Sequence, residues 1–251
     1  LTFLLAGAFE ELFPGERLEV EHSVAHGGYH CEVKDRPQLT GSEVARLETR
    51  MGELVRLDVP FSKSQLPLQD SINYFEAKGF NDKARLLADR RKSYLIIYEM
   101  GQHRDYHHGY MVPSTGFLKW FALSLAEEGF ILQFPRRESP TELLPPPHYP
   151  KLMATFGQYS DWIETLRISS VGELNDAVKE GRTRELILVS EALHEHQIDD
   201  MAAQIHDRRE SARLVLIAGP SASGKTTFSK RLTIQLLALG ISPLPIGLDN
   251  F

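Results

Sequence analysis

Cysteine is almost absent from this chain: Cys31 is the single one in 251 residues. One thiol excludes an intrachain disulfide, cannot by itself build a zinc site, and suits a reducing compartment. A packed, unreactive thiol and a cytoplasmic location are therefore expected. Long apolar runs are missing as well. No stretch reaches the roughly 20 residues that span a bilayer, and the N-terminus lacks the pattern of a signal peptide, so no membrane partner is expected. Positive charge is in deficit, with 28 Lys and Arg against 34 Asp and Glu and a net charge of −6. That balance argues against broad binding to nucleic acid or anionic membranes. The clusters Arg90-Arg91-Lys92 and Arg136-Arg137 read as solvated faces. Internal repeats are lacking. An initiator Met at Leu1 is lacking too, and the chain stops abruptly at Phe251, which together suggest a piece of a longer protein.

What is present divides into stretches of different character. Residues 1–135 mix helices and strands. Phe3, Leu4, Ala8, Leu12 and Phe13 suit an opening amphipathic helix stopped by Pro14-Gly15. Leu18, Val20, His22 and Val24 alternate, and a turn at Ala25-His26-Gly27 leads to Tyr29–Val33, which reads as a hairpin. Thr40 followed by Glu43 forms a capping box ahead of Val44, Leu47, Met51 and Leu54. A helix through Ile72, Phe75 and Glu76 is expected to end at Gly79, with Asn81 capping another through Leu87. Tyr94–Tyr98 reads as a strand, and Trp120–Leu125 pairs with Phe130–Phe134 around Glu127-Glu128-Gly129.

Six prolines from Pro135 to Pro150 make the connector, residues 136–150, stiff and extended. From 151 to 210 the pattern is helical, with Leu186, Val189, Leu193, Ile198, Met201 and Ile205 on one long amphipathic helix. Residues 211–251 carry the strongest chemical signal. Gly219-Pro220-Ser221-Ala222-Ser223-Gly224-Lys225-Thr226 spells G-x-x-x-x-G-K-T, the phosphate-binding P-loop. The apolar run Leu214–Ala218 before it suits a buried parallel strand, and Phe228, Leu232, Leu236 and Leu239 recur at helical spacing up to Gly240.

The chemistry of such a loop follows from its backbone. Converging N–H groups and the positive end of the next helix hold phosphate with fixed dipoles. Gly219 and Gly224 allow close backbone approach. Lys225 supplies a mobile charge for the β- and γ-phosphates of ATP, the Thr226 hydroxyl is placed to ligate Mg²⁺, and Ser223 and Thr227 offer further donors. A second strand, Ile246-Gly247-Leu248, would deliver Asp249 beside the phosphates, because ligands of open α/β sheets lie beyond the carboxyl ends of the strands. There a carboxylate can take the proton of an attacking hydroxyl. From position alone, a plain loop start fits Asp249 equally well.

The stretch from Arg213 to Phe251, with GPSASGKTTFSKRL and IGLDNF, resembles the start of the uridine kinase and phosphoribulokinase branch of P-loop kinases. The resemblance implies Asp249 as the base for a nucleoside 5′-hydroxyl, Lys225 as a second catalytic group, and ATP with Mg²⁺ as cofactors. The lid and most of the base pocket of such kinases have no counterpart here, so the 251 residues alone are expected to be inactive.

The opening half resembles the second additional domain of threonyl-tRNA synthetases, where mischarged tRNA is edited. The likeness runs through the helix ending LFP, the GYHCEV strand, EVARLETRMGELV and DYHHGYMVPSTGFLKWF. That family uses an HxxxH pair on the opening helix and a Cys and His four apart later. The first pair falls here on Phe3 and Gly7, the second on His107 and Met111. Phe and Gly can neither move a proton nor bind a metal, so no editing hydrolysis is expected. His22, His26 and His30 lie on a strand, a turn and a strand rather than on one helix face, which disfavours a metal site. His107 and His108 would point to opposite faces of a sheet. A scaffold or dimerisation role for this domain, or a pocket kept for a small ligand or partner, stays open.

The fold expected is thus an α+β synthetase-like domain, a helical connector, and the start of an α/β P-loop domain. The function expected is ATP-dependent phosphorylation of a nucleoside in the parent protein, with tRNA not a partner and self-association left open. Two alternatives stand beside it: an ATP-regulated tRNA- or amino-acid-binding module, and a P-loop kinase of another hydroxyl, such as that of a sugar phosphate.

Overall fold

The computed structural model describes residues 1–24, 27–126, 128–145 and 150–247, without the side chains of 150 and 152. The expected His26 turn residue, Glu127, and Asp249 with its neighbours from 248 onward lie outside them. The chain forms two compact units, Leu1–Glu173 and Leu174–Phe251.

The first unit opens with α1 (Thr2–Leu12), where Phe3, Leu4, Leu5, Ala8 and Phe9 are all buried. β1 (Arg17–Val24) and β2 (Gly28–Lys34) form the expected antiparallel hairpin, with a bulge between Val20 and His22 that sets His22 opposite His30. In α2 (Gly41–Arg56) the capping box is present in both directions: Thr40 Oγ1 accepts from the Glu43 N–H at 3.3 Å, and the Glu43 carboxylate accepts from the Thr40 N–H at 2.8 Å. These bonds satisfy donors that a bare helix start leaves open. Val44, Leu47, Met51 and Leu54 face the core as their spacing requires.

A second group of elements follows: β3 (Ser62–Pro67), α3 (Leu68–Ala77), α4 (Asn81–Ala88), β4 (Tyr94–Met100) and β5 (His103–Tyr106). After a 3-10 turn at Thr115–Phe117 come β6 (Ala122–Leu125) and β7 (Phe130–Gln133). Both sheets are antiparallel, one of four strands in the order β1-β2-β7-β6 and one of three in the order β3-β4-β5. The larger core joins α1 and α2 to β2, β6 and β7, and takes Tyr98 and Met100 from β4. Phe75, Ala84 and Leu87 of α3 and α4 cover the opposite side chains of β4, Leu95 and Ile97. Alternate residues of one strand therefore serve two cores, which is why Tyr94–Met100 is so uniformly apolar.

Several expectations need correction. β3 is not evident from SKSQLP, whose polar side chains give no strand pattern; its pairing with β4 from Ser62↔Glu99 to Pro67↔Tyr94 creates it. Asn81 is the first helical residue of α4, not its cap, because the Phe80 carbonyl already accepts the Ala84 N–H at 3.1 Å. Trp120 lies before β6. β5 stops at Tyr106, so His107 and His108 leave the sheet and its alternation does not govern them. The connector is not one extended rod: Ser139 N–H to Arg136 O and Glu142 N–H to Ser139 O close two turns.

Three helices follow, α5 (Pro150–Leu166), α6 (Val171–Lys179) and α7 (Thr183–Asp207). Pro150 at the first position of α5 costs no hydrogen bond, since that N–H has no helical partner. In the second unit, Ile198 and Ala202 of α7 pack on Leu232 and Leu236 of α8 (Lys225–Ala238), and Arg231 pairs with Glu195 at 2.6 Å. Met201, on the expected apolar face of α7, is 43% exposed. Leu214–Ala218 is not a strand: no partner strand pairs with it among the described residues, and Leu214 and Leu216 are exposed. A parallel strand exists only through its neighbours' hydrogen bonds, so apolar composition alone does not make one. Residues 246 and 247 likewise form no strand.

Candidate functional site

Residues 219–227 build a tight loop running into a helix. Ala222 has φ of 61° and Gly224 of 84°, so the backbone twice enters the left-handed region. The Ser223 N–H donates to Pro220 O at 3.3 Å and closes the turn. A Cβ on Gly219 would stand 2.7 Å from Ser223 Oγ and displace that hydroxyl from the turn. The first helical bond runs from the Phe228 N–H to Gly224 O at 2.9 Å. The N–H groups of Lys225, Thr226 and Thr227 precede it and remain available at the positive helix end. Lys225 Nζ folds back onto Pro220 O at 2.7 Å, which holds the ammonium at the loop. Ser221, Thr226 and Thr227 are exposed. The structure thus brings Gly219, Pro220, Ser223, Gly224 and Lys225 into one turn. Asp249 lies outside the described residues.

The four positions that the resemblance sets against the editing residues, Phe3, Gly7, His107 and Met111, lie in the first unit. Phe3 is buried with its ring 4.6 Å from that of His103 and 5.8 Å from that of Phe61. The space beside Gly7 is filled: a Cβ there would collide with Met100 Cε and lie 3.2 Å from His103 Cβ. Met111 packs against the larger core, and His107 sets its ring edge-on to Tyr98 at 6.3 Å. Burial, followed by nearby positive charge, lowers the His107 pKa.

Sequence reasoning missed the partner of His103. Its Nδ1 lies 2.8 Å from Glu10 Oε2, and Lys78 Nζ reaches Glu10 Oε1 at 2.7 Å. Hydrogen bonding from His103, then from Lys78, holds the Glu10 carboxyl down at about 2 against the opposing effect of burial. Glu10 and His103 are distant in sequence and meet where α1 crosses β5; no spacing rule could have paired them. His22 and His30 stack across the hairpin at 5.1 Å, and His22 stacks on Phe156 at 3.9 Å. No group of three or more metal-ligating side chains occurs among the described residues.

A cleft of about 330 Å³ opens beside the smaller sheet. Lys63, Arg90, Tyr106, His107, His108 and Tyr110 line it. Arg90, expected to be an idle surface cation, is held there by an Nε–H bond to Tyr94 O at 3.1 Å. Lys63 Nζ lies 5.7 Å from the Tyr98 ring centre and 5.5 Å from that of Tyr110. The Tyr98 hydroxyl donates to Gly109 O at 2.9 Å and pins the segment that carries both histidines. No helix among the described residues is long and apolar enough to cross a membrane.

No family model matches the chain. Its N-terminal part is similar to threonine–tRNA ligases. The identity is 36% over 122 residues with that of Marinobacter nauticus and 33% over 122 residues with that of Legionella pneumophila, in each case 48% of this chain and 19% of the relative. With that of Aromatoleum aromaticum it is 29% over 190 residues, or 75% of this chain and 28% of the relative. The chain therefore spans between 19% and 28% of the length of these relatives. They overturn two expectations. A nucleoside kinase acting on a nucleoside substrate is not what these proteins are, and proteins named for tRNA reverse the exclusion of tRNA drawn from net charge. The chain is a mixed α/β protein whose N-terminal part is threonine–tRNA ligase-like.

Proposed function

We propose that this chain is a tRNA- or amino-acid-binding module that has no hydrolytic editing activity and is regulated by ATP. The observation that carries the reading is the similarity of the N-terminal part to threonine–tRNA ligases. Residues 1–135 are the recognition domain in this proposal, 136–150 and 151–210 connect, and 211–251 begin a P-loop domain. Hydrolysis is disfavoured because Phe3 and Gly7 supply no acid, base or metal ligand, and Met100 with His103 occupies the space beside Gly7.

The second unit is suited to hold the regulator. The Gly219 cradle that a Cβ would fill, the free N–H groups at the start of α8 and the Lys225 ammonium fit the phosphates of ATP. Ser221, Ala222, Ser223 and Thr227 would complete the cradle, and Thr226 would hold Mg²⁺.

The test is a titration of the full chain with labelled threonine-specific tRNA, and with threonine and serine, with and without ATP·Mg²⁺. Saturable binding of at least one of these ligands is expected, with an affinity that ATP changes severalfold. Lys225→Ala should abolish the ATP effect and leave the basal affinity intact. Failure of tRNA and both amino acids to bind at millimolar amino acid and micromolar tRNA overturns the proposal. So does an ATP effect that survives Lys225→Ala.

A further inference from the structure

The cleft beside the smaller sheet combines cations, aromatic rings and an absence of acid. Lys63, Arg90, His107 and His108 line it, and no carboxylate stands among the described lining residues. Several cations elsewhere in the first unit are neutralised in place. Arg36, Arg50, Lys34, Lys78 and Lys83 each have a carboxylate partner, at distances from 2.5 to 3.0 Å. Lys63 and Arg90 have none among the described residues. A chain carrying −6 net charge has carboxylates to spare. Two cations without a carboxylate partner among the described residues, lining one concavity, make a local positive field open to an outside anion.

The geometry narrows the anion further. Arg90 spends its Nε–H on Tyr94 O, which fixes the guanidinium and leaves its two terminal nitrogens for a forked bond to oxygens. Lys63 adds a point charge beside Tyr98 and Tyr110. Tyr110 is 95% exposed, an apolar ring face that covers no core and that water alone does not reward. An exposed ring in a cleft that cations also line is the combination that grips a planar base together with its phosphate. The volume, about 330 Å³, sits at the small end of sites for single small molecules and is confined to one place. A polymer needs cations along a track; here both cations line a single cleft.

We propose that this cleft binds a free 5′-nucleotide, with the phosphate monoester on Lys63 and Arg90 and the base stacked on Tyr110. This site is separate from the P-loop and does not depend on tRNA or amino-acid binding. The same terminal chemistry occurs at the end of an RNA strand, so the experiment separates the two sources.

Calorimetric titration of the full chain with AMP, read beside NMR of its histidine ring signals, gives the test. AMP should bind and shift His107 and His108, adenosine without phosphate should bind at least about tenfold more weakly, and Lys225→Ala should change neither result. Lys63→Met and Arg90→Gln should each weaken AMP about tenfold, the equivalent of one charge-assisted hydrogen bond. Tyr110→Ala should weaken it about fivefold or more through lost stacking. Circular dichroism guards against unfolding, and Tyr110→Phe, which keeps the ring, should bind as the parent does. No AMP binding at 5 mM overturns the proposal, as does binding that only Lys225→Ala removes. A short single-stranded RNA that binds more tightly than AMP and loses affinity in the same variants also overturns it, in favour of an RNA site. Repeating the tRNA and amino-acid titrations on these variants keeps the two proposals apart, because loss of AMP alone leaves the module reading untouched.

Discussion

Replacing Gly7 by alanine tests whether the wall of the opening helix is closed where the editing family keeps a histidine. Gly→Ala in a helix interior is ordinarily favourable by about 1 kcal/mol, through lower backbone entropy in the unfolded chain. Gly52 in α2 has open space within 4 Å of the point where a Cβ would stand, so Gly52→Ala should realise most of that gain. At Gly7 the same methyl strikes Met100 Cε and presses on His103 Cβ at 3.2 Å and Cγ at 3.3 Å. Met100 is 3% exposed, so its thioether end has little room to retreat. Overpacking of this kind costs about 1–3 kcal/mol, which cancels or exceeds the helix gain. The two variants should therefore differ by about 2 kcal/mol although the substitution is chemically the same. With a urea slope of about 2 kcal/mol/M, their unfolding midpoints should lie about 1 M apart, with Gly7→Ala the lower. In a Met100→Ala background the separation should shrink, because the colliding atom is gone. Equal midpoints for Gly7→Ala and Gly52→Ala would refute the closed wall, and with it the structural case against editing chemistry at this position.

Two further outcomes follow from single side chains. The Glu10 carboxyl, held at about 2 chiefly by its hydrogen bond to His103, is depressed in the folded state; its stabilisation is fully present above the unfolded carboxyl range near 4.5 and is lost as pH falls from there toward 2. Because Glu10 is about one-third exposed, the effect should be about 1 kcal/mol at most, and urea midpoints between pH 2.5 and 6 should flatten in Glu10→Gln. Cys31 is fully buried, and burial above all pushes its thiol up to about 12. A chromogenic disulfide reagent should therefore leave the native protein unlabelled over minutes at pH 8 and titrate one thiol in urea.

Local signals were legible wherever chemistry is short-range. The Thr40–Glu43 box, the apolar spacing of α2, the first hairpin and the G-x-x-x-x-G-K-T turn all depend on residues a few positions apart, and each forms in the structure. β3 was illegible because SKSQLP is polar and becomes a strand only by lying along β4. The reverse error occurred at Leu214–Ala218, which has strand composition but no strand to pair with among the described residues. Net charge misled in a similar way: a sum of −6 over the chain says nothing about the charge of any one surface, and the similarity to threonine–tRNA ligases reverses the exclusion drawn from it.

Sequence alone thus determined the helices, the hairpin, the absence of an intrachain disulfide and the Gly219–Thr226 turn, since each follows from residue identity and near-neighbour spacing. Only the tertiary structure decided that Glu10 and His103 meet, that Met100 fills the space beside Gly7, and that Lys63, Arg90 and Tyr110 line one cleft. Those residues come from different elements, and their approach is fixed by how α1, β3, β4 and β5 share their cores rather than by any pattern along the chain.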